Sequence, residues 1–268
     1  MEYQNFDVEV AEGCARVALI GPGSPEMGHL CDEIIDLMLR LQEDNAVRLI
    51  LITDGDHAFD FHHNLDRLAE NAGQAEGFEM LSADEEIARR IVTLITELPK
   101  PVVAATRGDI RDMGFGFFMA ADVRLATTEA TFTAPDLAGG LLPGWGLTHT
   151  LPRLIGESRS LEFLWSGRTL GATEAARLGL IDRLIEPERF EEVIDEFIAR
   201  MRSLPQPVVH LTKLGVQQAG VLDATTMLSY DWEGQQQCWA SRETIEGLKA
   251  ISEGQVPRFD TPTTIQED

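Results

Sequence analysis

The sequence predicts an α/β fold: a mainly parallel sheet with helices outside it, followed by a helical region. Three observations predict this. Strand and helix signals alternate through the first half of the chain. Two of the strand signals are apolar runs with few polar breaks, the pattern of strands covered on both faces. From Gly144 onward helical patterns dominate. The expected division is a core over residues 1–200, a helical region over 201–260 and a disordered polar tail over 261–268.

The elements follow in order. Residues 16–20 read as a strand. Residues 30–42 place Ile34, Ile35, Met38, Leu39 and Leu41 at helical spacing, with acids at the start. The β-branched run 47–53 is a buried strand, and a loop spans 54–63. An amphipathic helix over 85–98 stops before Pro99, because a residue ahead of proline avoids helical angles. A buried strand follows at 101–106, a helix at 113–120, and short strands at 123–126 and 130–133. Helices are expected over 144–154, 157–165 and 173–178, with Gly179 closing the last, and a strand over 180–185. Residues 190–202, 207–220 and 222–251 are predicted helical. His149 fits a packing histidine. Trp232 and Trp239, spaced i and i+7, fit either core or a subunit interface.

Lys and Arg number 22 against 45 Asp and Glu, a formal net charge of −23. Such a chain repels nucleic acid and anionic lipid, so neither is an expected partner. The same charge also fits a solubility device or a salt-adapted surface. No apolar run reaches the roughly 20 residues of a membrane helix. Residues 1–12 are acidic and lack the pattern of a signal peptide. Cys14, Cys31 and Cys238 are odd in number and scattered, which argues for a reducing cytoplasm and against a disulfide frame or zinc site.

Several segments carry a further pattern. Residues 58–65 read AFDFHHNL, 101–108 PVVAATRG, 121–126 ADVRLA and 131–137 TFTAPDL. Residues 142–146 read LPGWG and 151–156 LPRLIG; then come SGR at 166–168, ATEAARLGL at 172–180 and EGLKA at 246–250. In order and spacing these resemble the crotonase (enoyl-CoA hydratase/isomerase) superfamily, with its AFxAGxDL loop, PVIAAVNG strand, TFGQPEV segment and PGWGGTQRLPRLIG stretch. The resemblance spans residues 5–259, and its specific part is 142–180.

The resemblance implies a spiral of ββα units, a C-terminal helical trimerisation region, and a homotrimer or dimer of trimers. It implies an oxyanion hole in which two main-chain N–H groups bind a thioester oxygen as it gains charge. Such donors are worth about 3–4 kcal/mol of barrier. By position the donors fall on Phe61 and Met113, the second at a helix start where the dipole helps. The family usually has glycine at the second position. Asp112, Gly114, Trp145 and Arg67 fall on substrate-binding positions, Trp145 also reading as packing within its turn.

The family's hydratases use two carboxylates. The first position falls on Gly116 and is lost; the second falls on Asp136. A lone carboxylate resembles the enoyl-CoA isomerases, where one base moves a proton between two carbons. His62 and His63 depart from the pattern beside the first donor. Either is a candidate general base, oxyanion donor or orienter for Asp136; a solvent-facing loop pair is the competing reading. A metal is not expected, because adjacent residues point apart and no third ligand is evident. Arg111 and Asp112 read as a local ion pair or as exposed groups.

The implied substrate is a small molecule, an acyl-CoA, with coenzyme A entering only as part of it and no separate cofactor. The family's lysine after the AFxAGxDL loop falls on Asp66, beside Arg67, and its C-terminal Lys-Arg pair on Gly254 and Gln255. Lys249 and Arg258 are the remaining nearby cations. The variable stretch 67–83 supplies the pocket wall. Two rivals stand beside this reading: CoA-independent C–C bond hydrolysis of a β-diketone, and a non-catalytic subunit that keeps the fold for assembly.

Overall fold

The computed structural model describes residues 3–20, 27–55, 59–61, 65–135 and 137–259. Its first half contains β1 (Phe6–Ala11), β2 (Cys14–Leu19), α1 (Met27–Glu43), β3 (Leu49–Thr53), β4 (Asp60–Phe61), α2 (Leu65–Glu70) and α3 (Ala75–Glu97). Next come β5 (Val102–Thr106), β6 (Asp109–Arg111), α4 (Asp112–Met119), β7 (Val123–Thr127) and β8 (Thr131–Thr133). Then follow α5 (Leu147–Ile155), α6 (Glu157–Ser166), β9 (Thr169–Gly171), α7 (Ala172–Leu178) and β10 (Arg183–Ile185). The C-terminal helices are α8 (Phe190–Arg202), α9 (Gln206–Gln218), α10 (Ala224–Trp239) and α11 (Arg242–Ser252).

The strands form two sheets. One has the order β1-β2-β3-β5-β7-β10 and is parallel apart from the β1–β2 hairpin. The other has the order β4-β6-β8-β9, with only β9 antiparallel. The buried runs at β3 and β5 are central strands of the first sheet, covered on both faces as expected. Ile50, Ile52, Val102 and Ala104 join the core that holds residues of α1, α3 and α4. Leu49, Leu51, Val103 and Ala105 point the other way, onto Phe190, Val193, Ile194 and Ile198 of α8.

Several elements differ from the sequence reading, each for a local reason. Of the second sheet only β8 was expected, as the strand at 130–133; β4, β6 and β9, of two or three residues, show no period. The loop expected over 54–63 contains one of them, β4. Helix α3 starts at Ala75 rather than near 85; its first turns are mostly exposed, Phe78 included, so no buried apolar stripe marks them. Residues 144–146 are a turn, with positive φ at all three (49°, 49° and 71°), so α5 begins at Leu147. The stretch 222–251 is two helices: Ser241 caps α11 by accepting a hydrogen bond from the Thr244 N–H, and a capping serine starts a helix anew. The three cysteines are buried free thiols. Among the described residues no helix is long and apolar enough to cross a membrane. The expected tail, 261–268, lies outside the described residues.

Buried ions fasten the C-terminal helices to the sheet. Lys213 of α9 lies 2.7 Å from Asp122 and also donates to the carbonyls of Ile95, near the end of α3, and Lys100, at 3.1 and 3.3 Å. Asp122 in turn accepts the Val102 N–H at 2.8 Å. Burial pushes the Asp122 carboxyl up and the Lys213 ammonium down, and the attraction between them opposes both shifts. Arg48 makes a second clasp. It pairs with Glu243 of α11 at 2.7 Å, donates to the Leu204 carbonyl at 3.0 Å and lies over the Phe259 ring. Glu243 also accepts the Gln206 N–H at the start of α9, at 2.6 Å.

Removing one partner of a buried pair leaves an uncompensated charge. Lys213→Met is therefore expected to lower unfolding free energy in urea by about 3–5 kcal/mol near pH 8. The deficit should shrink toward pH 5, because the unpaired Asp122 carboxyl, already pushed up by burial, takes a proton in the folded state. Arg89→Ala, which breaks a solvent-exposed pair with Glu86, should leave the urea midpoint essentially where it is in the parent.

Candidate active site

The site is organised around α4, where the sequence runs directly from strand β6 into a helix. Met113 through Met119 are all buried. Arg111, at the N-cap, is extended and gives the helix no side-chain cap. The first N–H groups of a helix have no partner within it, and the dipole is positive at that end. Met113 contributes one of these donors. Asp112 turns the chain from strand to helix with φ 45°, an uncommon angle for a residue with a side chain.

The second sheet brings three strand ends together. Asp60 of β4 pairs with Arg111 of β6, and Arg111 pairs with Thr133 of β8, all in parallel. Phe61, Asp112 with Met113, and Ala134 with Pro135 therefore leave the carboxyl ends of three neighbouring strands. In α/β folds this is where ligands bind.

Two glycines let other segments press onto α4. A Cβ on Gly114 would lie 2.6 Å from the carbonyl carbon of Phe59, with the carbonyl oxygen closer still. Only glycine admits that approach, which sets β4 against the helix start. A Cβ on Gly116 would lie 2.7 Å from Cγ of Trp145 and collide with its Cβ. Trp145 is 6% exposed and, like Asp112, has a positive φ of 49°. Rings close around the helix. Phe117 meets Trp145 at 6.1 Å, Phe118 meets Phe59 at 5.4 Å and Phe132 of β8 at 5.8 Å, and Phe115 meets Phe163 of α6 at 5.7 Å. Offset and edge-on ring pairs of this kind add to the burial itself. On β6, Asp109 accepts the Thr131 hydroxyl at 2.6 Å, and that bond, with Arg111 nearby, holds its carboxyl below the usual range.

The structure puts Phe61 at the end of β4 and Met113 in the first turn of α4, directly after the neighbouring strand β6. Gly114 lies against the Phe59 backbone and Trp145 against Gly116. Asp112 is half-buried and Arg67, on α2, is exposed. His62, His63 and Asp136 lie outside the described residues. Arg111 pairs with Asp109 at 3.2 Å. His149 is not a packing residue: it is exposed, with Nδ1 2.7 Å from Nη1 of Arg153, because the first turn of α5 faces outward there. Trp232 and Trp239 are 65% and 68% exposed, so neither is core of this chain. Lys249 and Arg258 are exposed. Asp54 was missed. Its carboxylate, 4% exposed, grips the turn between β5 and β6. The only signal in the sequence was an acid directly after an apolar strand.

Comparison with known proteins adds four findings. A family model described as enoyl-CoA hydratase/isomerase matches residues 27–262. Crotonyl-CoA hydratase of Syntrophomonas wolfei is 28% identical, covering 97% of this chain and 99% of that protein. The trans-2-decenoyl-[acyl-carrier-protein] isomerase of Streptococcus mutans is 25% identical over the same shares of the two chains. A crystal structure of an enoyl-CoA hydratase from Bacillus anthracis superposes with a TM-score of 0.84, covering 96% of this chain and 99% of that one. At 24% identity that likeness shows the fold.

The contact between Gly116 and Trp145 predicts a coupled pair. Gly116→Ala should destabilise by about 1–3 kcal/mol through overpacking. Trp145→Ala should cost about 3–5 kcal/mol through the cavity it leaves. In the double variant the costs should fall short of their sum by about 0.5–3 kcal/mol, as urea titration would read it. Strict additivity would show that the two residues do not share this space.

Proposed function

The chain belongs to the enoyl-CoA hydratase/isomerase family and is an enzyme of that family, and from this we propose that it moves a proton on an acyl-CoA thioester. The main-chain N–H groups of Phe61 and Met113 hold the thioester oxygen as an enolate forms. Asp136 takes a proton from one carbon and returns it to another, as in double-bond isomerisation. What carries the reading is the register of β4, β6 and β8, which sends the chain toward all three residues from one edge of one sheet. The name of the hydratase supports the CoA substrate class, and that of the isomerase, which acts on an acyl-carrier-protein thioester, supports the proton transfer. Gly116 supports a single carboxylate: its position carries no acid, and Trp145 fills the space beside it.

Each residue has one task. The two amides lower the cost of the negative charge on oxygen, and the positive end of α4 adds to them. The aromatic shell around α4 keeps that wall apolar, which favours proton transfer over addition of water. Asp136→Asn keeps the shape and removes the base, so turnover of a β,γ-enoyl-CoA should fall by about 10²-fold or more. If Asp136→Asn turns over at nearly the parental rate while His62→Ala or His63→Ala is inactive, the proton carrier is a histidine. No calorimetric binding of acetyl-CoA at millimolar concentration, with cleavage of a β-diketone, would move the assignment to CoA-independent hydrolysis.

The C-terminal helices support self-assembly into a trimer or a dimer of trimers. Leu228, Trp232 and Trp239 form an exposed apolar stripe on α10, and Ile245, Leu248 and Ile251 are exposed on α11. An apolar surface of this extent marks an interaction site. Sedimentation velocity at micromolar protein should give the mass of three or six chains; a monomer would overturn the assembly.

A further inference from the structure

We propose that Asp54 is a positioning residue that sets the separation of the two main-chain donors, Phe61 and Met113; this rests on the reading of the site given above. Asp54 follows β3 and is 4% exposed. Its Oδ2 accepts three hydrogen bonds, all from one turn: the Thr106 hydroxyl at 2.8 Å, the Arg107 N–H at 2.6 Å and the Gly108 N–H at 3.1 Å. Burying a carboxylate is costly unless hydrogen bonds compensate, and bonds to a charged acceptor are the strong ones. Three donors on consecutive residues fix the turn in position and in rotation. Thr127 holds its other side by donating to the Arg107 carbonyl at 3.1 Å. The Arg107 side chain is engaged elsewhere, over the Phe190 ring.

Both donor-bearing segments start from this junction. From Gly108 the chain runs through the three residues of β6 to Asp112 and Met113. From Asp54 it runs toward Phe59 and then Phe61. The far ends meet again, where the Phe59 carbonyl rests on Gly114 and Asp60 pairs with Arg111. The two segments are thus bound together at both ends, by backbone contact at the donors and by one carboxylate at the base. Loosening the base lets β6 tilt against β4, and the two N–H groups cease to converge. Hydrogen bonds weaken steeply with distance and angle, so a small tilt removes much of the stabilisation of a developing oxyanion. Asp54 acts on the reaction only through this geometry.

Infrared difference spectra of bound butyryl-CoA, which has no double bond to react, read the donors directly through the thioester carbonyl stretch. In the parent protein the stretch should move to lower frequency than in free butyryl-CoA. Asp54→Ala should lose most of that displacement, and turnover of an enoyl-CoA should fall on the order of 10²-fold, as when one oxyanion donor is removed. The change should lie in kcat, with KM moved by less than about threefold. Asp54→Asn keeps an acceptor but loses the charge and should lose part of the displacement; it carries the test if Asp54→Ala does not fold. A parental displacement and turnover in the folded variants would overturn the positioning role while leaving the thioester reading intact. Butyryl-CoA bound to the parent with no displacement would overturn the thioester reading itself, and the role of Asp54 with it.

Discussion

The rest of the site depends on one close approach, that of the Phe59 carbonyl to Gly114. It puts a backbone oxygen where any side chain would otherwise stand, and so locks β4 to the first turn of α4. The ladder from β4 through β6 to β8 then has one register, and its three strands end at a common edge. The rings of Phe59, Phe117, Phe118 and Phe132 close over the same helix. A helix buried along nearly its whole length has no freedom to shift on its own, so its N-terminal amides are held by the core. Preorganisation here is a matter of packing: donors are held ready because the interior around them is full.

Helix α8 packs on the sheet through buried apolar side chains, but the helices after it obey a different economy. Many apolar side chains of α10 and α11 are exposed, and α9 and α11 are fastened through ions. Lys213 and Arg48 each bring a charge into low exposure and satisfy it with a carboxylate and main-chain carbonyls. Such clasps specify one docked arrangement more than they add stability. They leave the outward faces of α10 and α11 free for another chain, while the acidic balance of the surface, −23 in net charge, keeps unspecific contact low.

What was legible in the sequence followed from period and length. Strands β3 and β5 were visible as apolar runs because both of their faces are covered, and α1 was visible because its apolar stripe repeats. The second sheet was visible only at β8, since Asp60–Phe61 and Thr169–Gly171 are too short to show alternation. Phe61 and Met113 were singled out by resemblance alone; the structure places the first at the end of β4 and the second in the first turn of α4. Asp54 and the contact of Gly116 with Trp145 could not be singled out. Both join residues distant in sequence, and a glycine gives no sign of which neighbour requires it. His149 misled because it lies within an expected helix and was read as packing; in the structure it sits on the exposed side of α5, whose Leu147 and Leu151 face the core.

The fit between Gly116 and Trp145 also bears on how such a chain can change over generations. An acidic residue introduced at position 116 alone would collide with the indole, and a small residue at 145 alone would open a void in the core. Each intermediate is worse than either end state. An acid can therefore enter position 116 only by paired replacement or by prior enlargement of the turn that holds Trp145. Packing, rather than chemistry, closes the direct route.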